Sequence, residues 1–146
     1  MITIKIILLF WSLYFSLIFI TNSIDLLKHF GIIPKWWKFT SGNYSFLKRV
    51  TSEYKLSANT LIPAFAFVLL LELSAAVYFW KVIIVPAGWI FDSVYVPFSI
   101  GLVMFGGFVI LDEVFLSFLA EENHFRIFNA LLLSLIFIRL SSIYTL

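Results

Sequence analysis

Four stretches of this chain are apolar over about 20 residues each, the length that carries a helix across a bilayer core. They cover residues 6–26, 61–83, 96–118 and 127–144. Lipid offers the backbone no hydrogen-bond partner, so each stretch must close its own ladder and is predicted as a helix. The expected fold is an all-α, integral membrane four-helix bundle, a single domain over residues 1–146.

Composition supports this reading. Hydrophobic residues make up 62% of the chain and charged ones 12%, against roughly 45–50% and about 25% in soluble proteins. A soluble core of this size has no room for 18 Phe side chains, so the excess faces lipid. The bilayer is the first expected partner. The opening run, "MITIKIILLFWSLYFSLIFI", is longer than the usual 7–15 residues of a signal-peptide core, and "ITNSID" lacks a small-x-small cleavage site. It is read as a retained span. With no Cys, thiol redox chemistry and iron–sulfur ligation are excluded. A net charge of +2 without a basic stripe argues against nucleic acid.

Punctuation along the chain fits four helices. Pro63 is placed in the first turn of the second span, where its missing N–H costs nothing. Pro86 and Gly88 break the chain after it, and Pro97 starts the third span. The polar "EENH" is read as a short turn, making the last two spans an antiparallel hairpin. The one long connection, 28–58, begins with Trp36 and Trp37 between Lys35 and Lys38, a pattern suited to the headgroup layer. Tyr44, Leu47, Val50 and Tyr54 then recur at helical spacing, which predicts a short interfacial helix over 43–55, capped by Ser41 or Asn43. Trp36, Trp37, Tyr44 and Tyr54 are the expected interfacial anchors.

Basic residues set the expected orientation. Lys28, Lys35, Lys38, Lys48, Arg49, Lys55 and Arg126 fall on one side, and Lys5, Lys81 and Arg139 on the other. By the positive-inside rule the 28–58 loop is cytoplasmic and both termini are outside, in a bacterial inner membrane.

The buried charges are the candidate site. Glu72 stands at the midpoint of the second span, where a carboxylate costs roughly 2.5–3.5 kcal/mol on insertion scales. Ala75, Ala76 and Phe79 follow on its face, so another helix can come close. Arg139 is the candidate partner by depth. The pair reads as a structural lock, a proton or substrate path, or a contact with another subunit. Asp112 and Glu113 point about 100° apart and cannot share a target. Glu113, Ser117, Glu121 and His124 form one stripe, Asn22, Asp25 and His29 a second, and Arg126 with Asn129 opens the fourth span. These stripes are expected to converge at the loop side, with Arg126 as counter-charge to the acids. No cofactor is expected. The residues that would hold a haem are His29 and His124, and a carboxylate metal site would draw on Glu121 and His124, three apart.

The second span, "PAFAFVLLLELSAAVYFW", resembles that of the DoxX-like group of small four-span bacterial membrane proteins. Glu72, Ser74, Ala75 and Ala76 fall on that group's Glu-and-small-residue motif, and Trp80-Lys81 stands where the group has Gly. The likeness runs from the start of the chain to the end of the second span. It implies a four-helix bundle associated with membrane oxidoreductase or quinone-linked systems, usually as a small subunit. Three function classes follow. The leading expectation is an accessory subunit of a larger membrane complex, without catalysis of its own. The second is a proton-coupled carrier using Glu72 and the polar cluster, and the third an intramembrane metal- or haem-dependent enzyme built on Asp112, Glu113 and His124.

Overall fold

A computed structural model describes residues 2–84, 93–115 and 117–143. The long helices are α1 (Ile2–His29), α3 (Ala58–Ile84), α4 (Tyr95–Val114) and α5 (Phe118–Ile143), with a short helix α2 (Asn43–Val50) in the first connection. All four long helices are long and apolar enough to span a membrane, and the protein is a membrane protein of the expected four-helix class. Its outer surface requires lipid: Phe67 is 60% exposed, Leu133 65% and Val103 72%. Two serine hydroxyls on the spans return to their own helices. Ser12 Oγ donates to Leu8 O at 2.8 Å, and Ser134 Oγ to Ala130 O at 2.7 Å, so neither donor is left free in the hydrocarbon.

Around the bundle the order is α1, α3, α4, α5. The circle closes from α5 to α1, where the Trp11 indole donates to Ser134 Oγ at 3.1 Å. Away from the loop, the core is packed with aromatic rings. Phe15 stacks on Phe79 at 5.4 Å between centroids, and Phe98 meets Phe79 edge-on at 5.0 Å. Gly101 lets the helices meet: a Cβ there would lie 2.9 Å from Phe15 Cζ and 3.0 Å from Leu131 Cδ1. Since lipid is as apolar as Leu, such close approach, and not hydrophobic collapse, holds spanning helices together.

The connections depart from expectation in three places. First, α1 ends in a Schellman turn: Ile32 N–H donates to Leu27 O at 3.0 Å and Gly31 N–H to Lys28 O at 3.1 Å, with Gly31 at φ 74°. The short helix then occupies 43–50 only, and 51–55 is turn. Second, "EENH" is not the hairpin turn. The chain reverses between α4 and α5, ahead of that stretch; Ser117 O accepts from Ala120 N (2.9 Å) and Glu121 N (3.0 Å), and Glu121 through His124 are helical. Glu residues in a first turn favour the positive end of the helix dipole, so polarity there marks a helix start and not a loop. Third, Pro63 is one turn deeper than expected, because α3 begins at Ala58. Pro97 is the third residue of α4, and Pro86 and Gly88 lie outside the described residues.

Candidate functional site: two polar centres on an apolar cleft

The first centre joins three helices. Glu72, 2% exposed in the middle of α3, accepts through Oε1 from Asn22 Nδ2 at 2.5 Å. Asn22 Oδ1 in turn accepts from Asn43 Nδ2 at 2.9 Å, so a carboxyl on α3, an amide on α1 and an amide on α2 form one chain. Ala75 and Ala76, which follow Glu72 on α3, are both buried. The other carboxyl oxygen, Glu72 Oε2, is buried and has no partner among the described residues. The expected Glu72–Arg139 pair is not formed. Arg139 lies on the exposed side of α5 with its guanidinium 4.8 Å from the centre of the Tyr95 ring, while Ile138 takes the inward position. Glu72 is served by α1, its neighbour in the bundle, and α5 packs along α4 instead.

One turn along α1 from Asn22, Asp25 holds the loop. Its Oδ2 accepts from the Tyr44 backbone N–H at 2.7 Å and its Oδ1 from Thr40 Oγ1 at 3.1 Å. A carboxylate on the first turn of α2 meets both an unpaired N–H and the positive end of the dipole. Gly42, at φ 75°, offers no side chain for this task. Tyr44 is thereby drawn inward to 2% exposure, edge-on to Phe65 at 5.3 Å. It is a core residue and not the interfacial anchor expected, because its helix is pinned by Asp25 through that very residue. Trp36 and Trp37 are exposed, as is Tyr54, whose hydroxyl donates to Val114 O at 3.0 Å.

The second centre joins α4 and α5. Asp112 Oδ2 lies 2.5 Å from His124 Nδ1, and the imidazole is flanked by Phe108 at 4.9 Å and Phe105 at 6.0 Å. The expected stripe is one residue out of register here: Asp112 is buried and Glu113 exposed. The sequence carried the signal, since Phe98, Gly101, Phe105, Phe108 and Asp112 recur at steps of three and four, the rhythm of a single inward face.

The single convergent cluster expected of Asn22, Asp25, Glu113, His124, Arg126 and Asn129 is therefore divided. Arg126 pairs with Glu122 of its own helix at 2.5 Å, both largely exposed, and serves neither centre. Asn129 and Glu121 are half-buried on α5. His29 is exposed against Tyr44 at 4.6 Å and borders a small recess with Asp25, Lys28 and Lys35, separate from His124. Two His on different recesses do not make a haem pair, and no three His, Asp or Glu residues group as a metal site among the described residues.

Both centres border one cleft of about 650 Å³. Phe65, Phe67, Val68, Leu71 and Glu72 of α3 form one wall, and Val103, Met104, Gly107, Phe108, Leu111 and Asp112 of α4 the other. Helix α2 roofs it with Asn43, Phe46, Leu47 and Val50, and Asn123 and His124 of α5 close its far side. This size falls within the ~300–1,000 Å³ of small-molecule sites. The lip residues Phe67, Val103 and Leu111 are exposed on membrane-spanning helices, so the cleft opens sideways into lipid. Sequence reasoning found Glu72, Asn22, Asp112 and His124 but not the cleft, which depends on how far α3 and α4 splay. No family model, curated protein or solved structure matches the chain.

Proposed function

We propose that this protein is a small carrier or binding protein that takes a lipid-soluble molecule from the bilayer into the cleft between α3 and α4, with Glu72 as its polar anchor. One observation carries the reading: the buried Glu72 Oε2, without a partner among the described residues, belongs to a side chain that borders a cleft of ligand size. Leaving a buried acceptor unmet costs about 1–3 kcal/mol, and more when charged, so a ligand donor that displaces the adjoining side chains and reaches Oε2 relieves that cost. Asn22 fixes the carboxyl group in place beforehand, and the Asp112–His124 pair provides a second polar contact on the same cleft. The excess of Lys and Arg in the 28–58 loop and at Arg126 supports a cytoplasmic position for that side, in a bacterial inner membrane.

The test uses the chain in lipid nanodiscs, with thermal unfolding followed across a panel of lipid-soluble probes. A probe that occupies the cleft raises stability by about 2.7 kcal/mol at 100 times its Kd. Gly107→Leu is expected to remove that gain: Gly107 borders the cleft and a Cβ there meets nothing within 4 Å among the described residues, so the new side chain starts in open space beside the cleft. Stabilisation that survives Gly107→Leu puts the ligand elsewhere and ends the reading.

A second reading keeps the protein as an accessory subunit of a larger membrane complex, as its resemblance to DoxX-like proteins implies. The observation favouring it is the bareness of α5, on which only Leu131 and Ile138 are buried among the described side chains. Gentle solubilisation distinguishes the two, since a subunit elutes in a stable larger assembly and a carrier elutes without other membrane proteins.

A further inference from the structure

We infer that the ligand class of this cleft is a hydrophobic cation, an aromatic or alkyl molecule bearing one positive charge; the inference rests on the carrier reading above. Three observations point the same way. Glu72 and Asp112 border the cleft, and no Lys or Arg does among the described residues. The two acids are not equivalent. Asp112 is hydrogen-bonded to the His124 imidazole, whereas Glu72 has only the neutral amide of Asn22, and its Oε2 has no partner among the described residues. One carboxyl group on the cleft is thus without a basic side chain beside it among the described residues. The walls also suit positive charge. Phe46, Phe65, Phe67, Phe108 and Phe115 border the cleft, and a ring that turns its face to the ligand attracts a cation, more strongly once water is excluded.

The same surfaces reject the opposite sign. An anion of equal size meets the Glu72 carboxyl group in a low-dielectric setting, with no Lys or Arg beside the cleft to receive it among the described residues. A neutral molecule fills the volume but leaves Glu72 as it was. Glu72 Oε2 is closed to a water-sized contact, so the cation reaches it by displacing adjoining side chains, and close contact with the carboxyl group distinguishes bound ligand from lipid that merely fills the opening.

Tetraphenylphosphonium and tetraphenylborate test this directly, being nearly the same shape with opposite charge. Binding to the protein in nanodiscs is measured by equilibrium dialysis, with empty nanodiscs subtracted. The cation is expected to bind at least tenfold tighter than the anion, a difference of about 1.4 kcal/mol. Glu72→Gln, which keeps an acceptor for Asn22, is expected to weaken the cation by about tenfold and leave the anion unchanged or tighter. Gly107→Leu is expected to abolish both. Equal affinity for both ions, or a cation affinity unmoved by Glu72→Gln, overturns the cation assignment. The carrier reading survives that outcome if Gly107→Leu still abolishes binding. Absence of binding by either probe, or binding indifferent to Gly107→Leu, overturns the cation assignment and the carrier reading together. The comparison of signs on the unsubstituted chain decides the matter even where Glu72→Gln fails to fold.

Discussion

The two halves of this bundle are built from the same apolar alphabet and come out opposite. Away from the long loop, Phe15, Phe79, Phe98, Leu131 and Ile138 fill the centre with no room for a Cβ at Gly101. Toward the loop, the same helices part around about 650 Å³ and carry Asn22, Asp25, Glu72, Asp112 and His124. The difference teaches what holds helices in lipid. Apolar side chains gain little by leaving hydrocarbon for protein, so tight packing arises where small residues permit contact, and separation is tolerated where polar side chains bridge the gap. The closed half is held by shape and the open half by hydrogen bonds.

That contrast breaks most sharply at the two glycines of α4. Gly101→Leu drives a side chain into Phe15 and Leu131, and overpacking of this kind costs about 3 kcal/mol. Thermal unfolding in detergent is expected to show a large loss, while Gly107→Leu in the open half moves the midpoint little. Equal losses would mean that the two halves are packed alike. Next in size is Asn22→Ala, which strips Glu72 Oε1 and the Asn43 amide of their partner at once. A loss of about 2 kcal/mol is expected, and adding Glu72→Leu should recover part of it, because removing both partners of a buried bond costs less than removing one. Failure of the double variant to recover stability would locate the role of Asn22 elsewhere.

Asp25→Ala is expected to cost about 1 kcal/mol, the usual size of a lost helix cap. Its signature is local: hydrogen exchange at the Tyr44 amide should quicken while the amides around Phe79 keep their protection. The smallest effect is expected from Arg126→Leu. Its partner Glu122 is exposed, as it is, and such pairs contribute about 0.3–0.5 kcal/mol. A loss above about 1 kcal/mol would revive the idea that Arg126 neutralises the buried acids.

The spans were legible because their signal is length and apolarity, and neither depends on what a helix touches. Glu72 was legible for the same reason, since a carboxyl group at mid-span is costly wherever it points. Partners were not legible. Arg139 matched Glu72 in depth, but depth ignores which helices are neighbours, and α5 lies along α4. The choice between Asp112 and Glu113 required the phase of α4, which Phe98, Gly101, Phe105 and Phe108 supplied but the neighbouring polar residues obscured. Tyr44 looked like a headgroup anchor because a Tyr beside basic residues usually is one. Its burial follows from Asp25 reaching across from another helix, a tertiary fact that no local pattern contains.

The sideways mouth of the cleft sets the terms on which anything enters it. A molecule arriving from acyl chains leaves one hydrocarbon setting for another, so Phe67, Val103 and Leu111 return almost no free energy of transfer. The energy that separates one guest from the lipid it displaces must then come from fit, from ring faces and from the few atoms that are not carbon. Selection in such a site is a competition against the solvent's own tails, present at enormous excess, and a guest without a polar handle loses it by dilution alone.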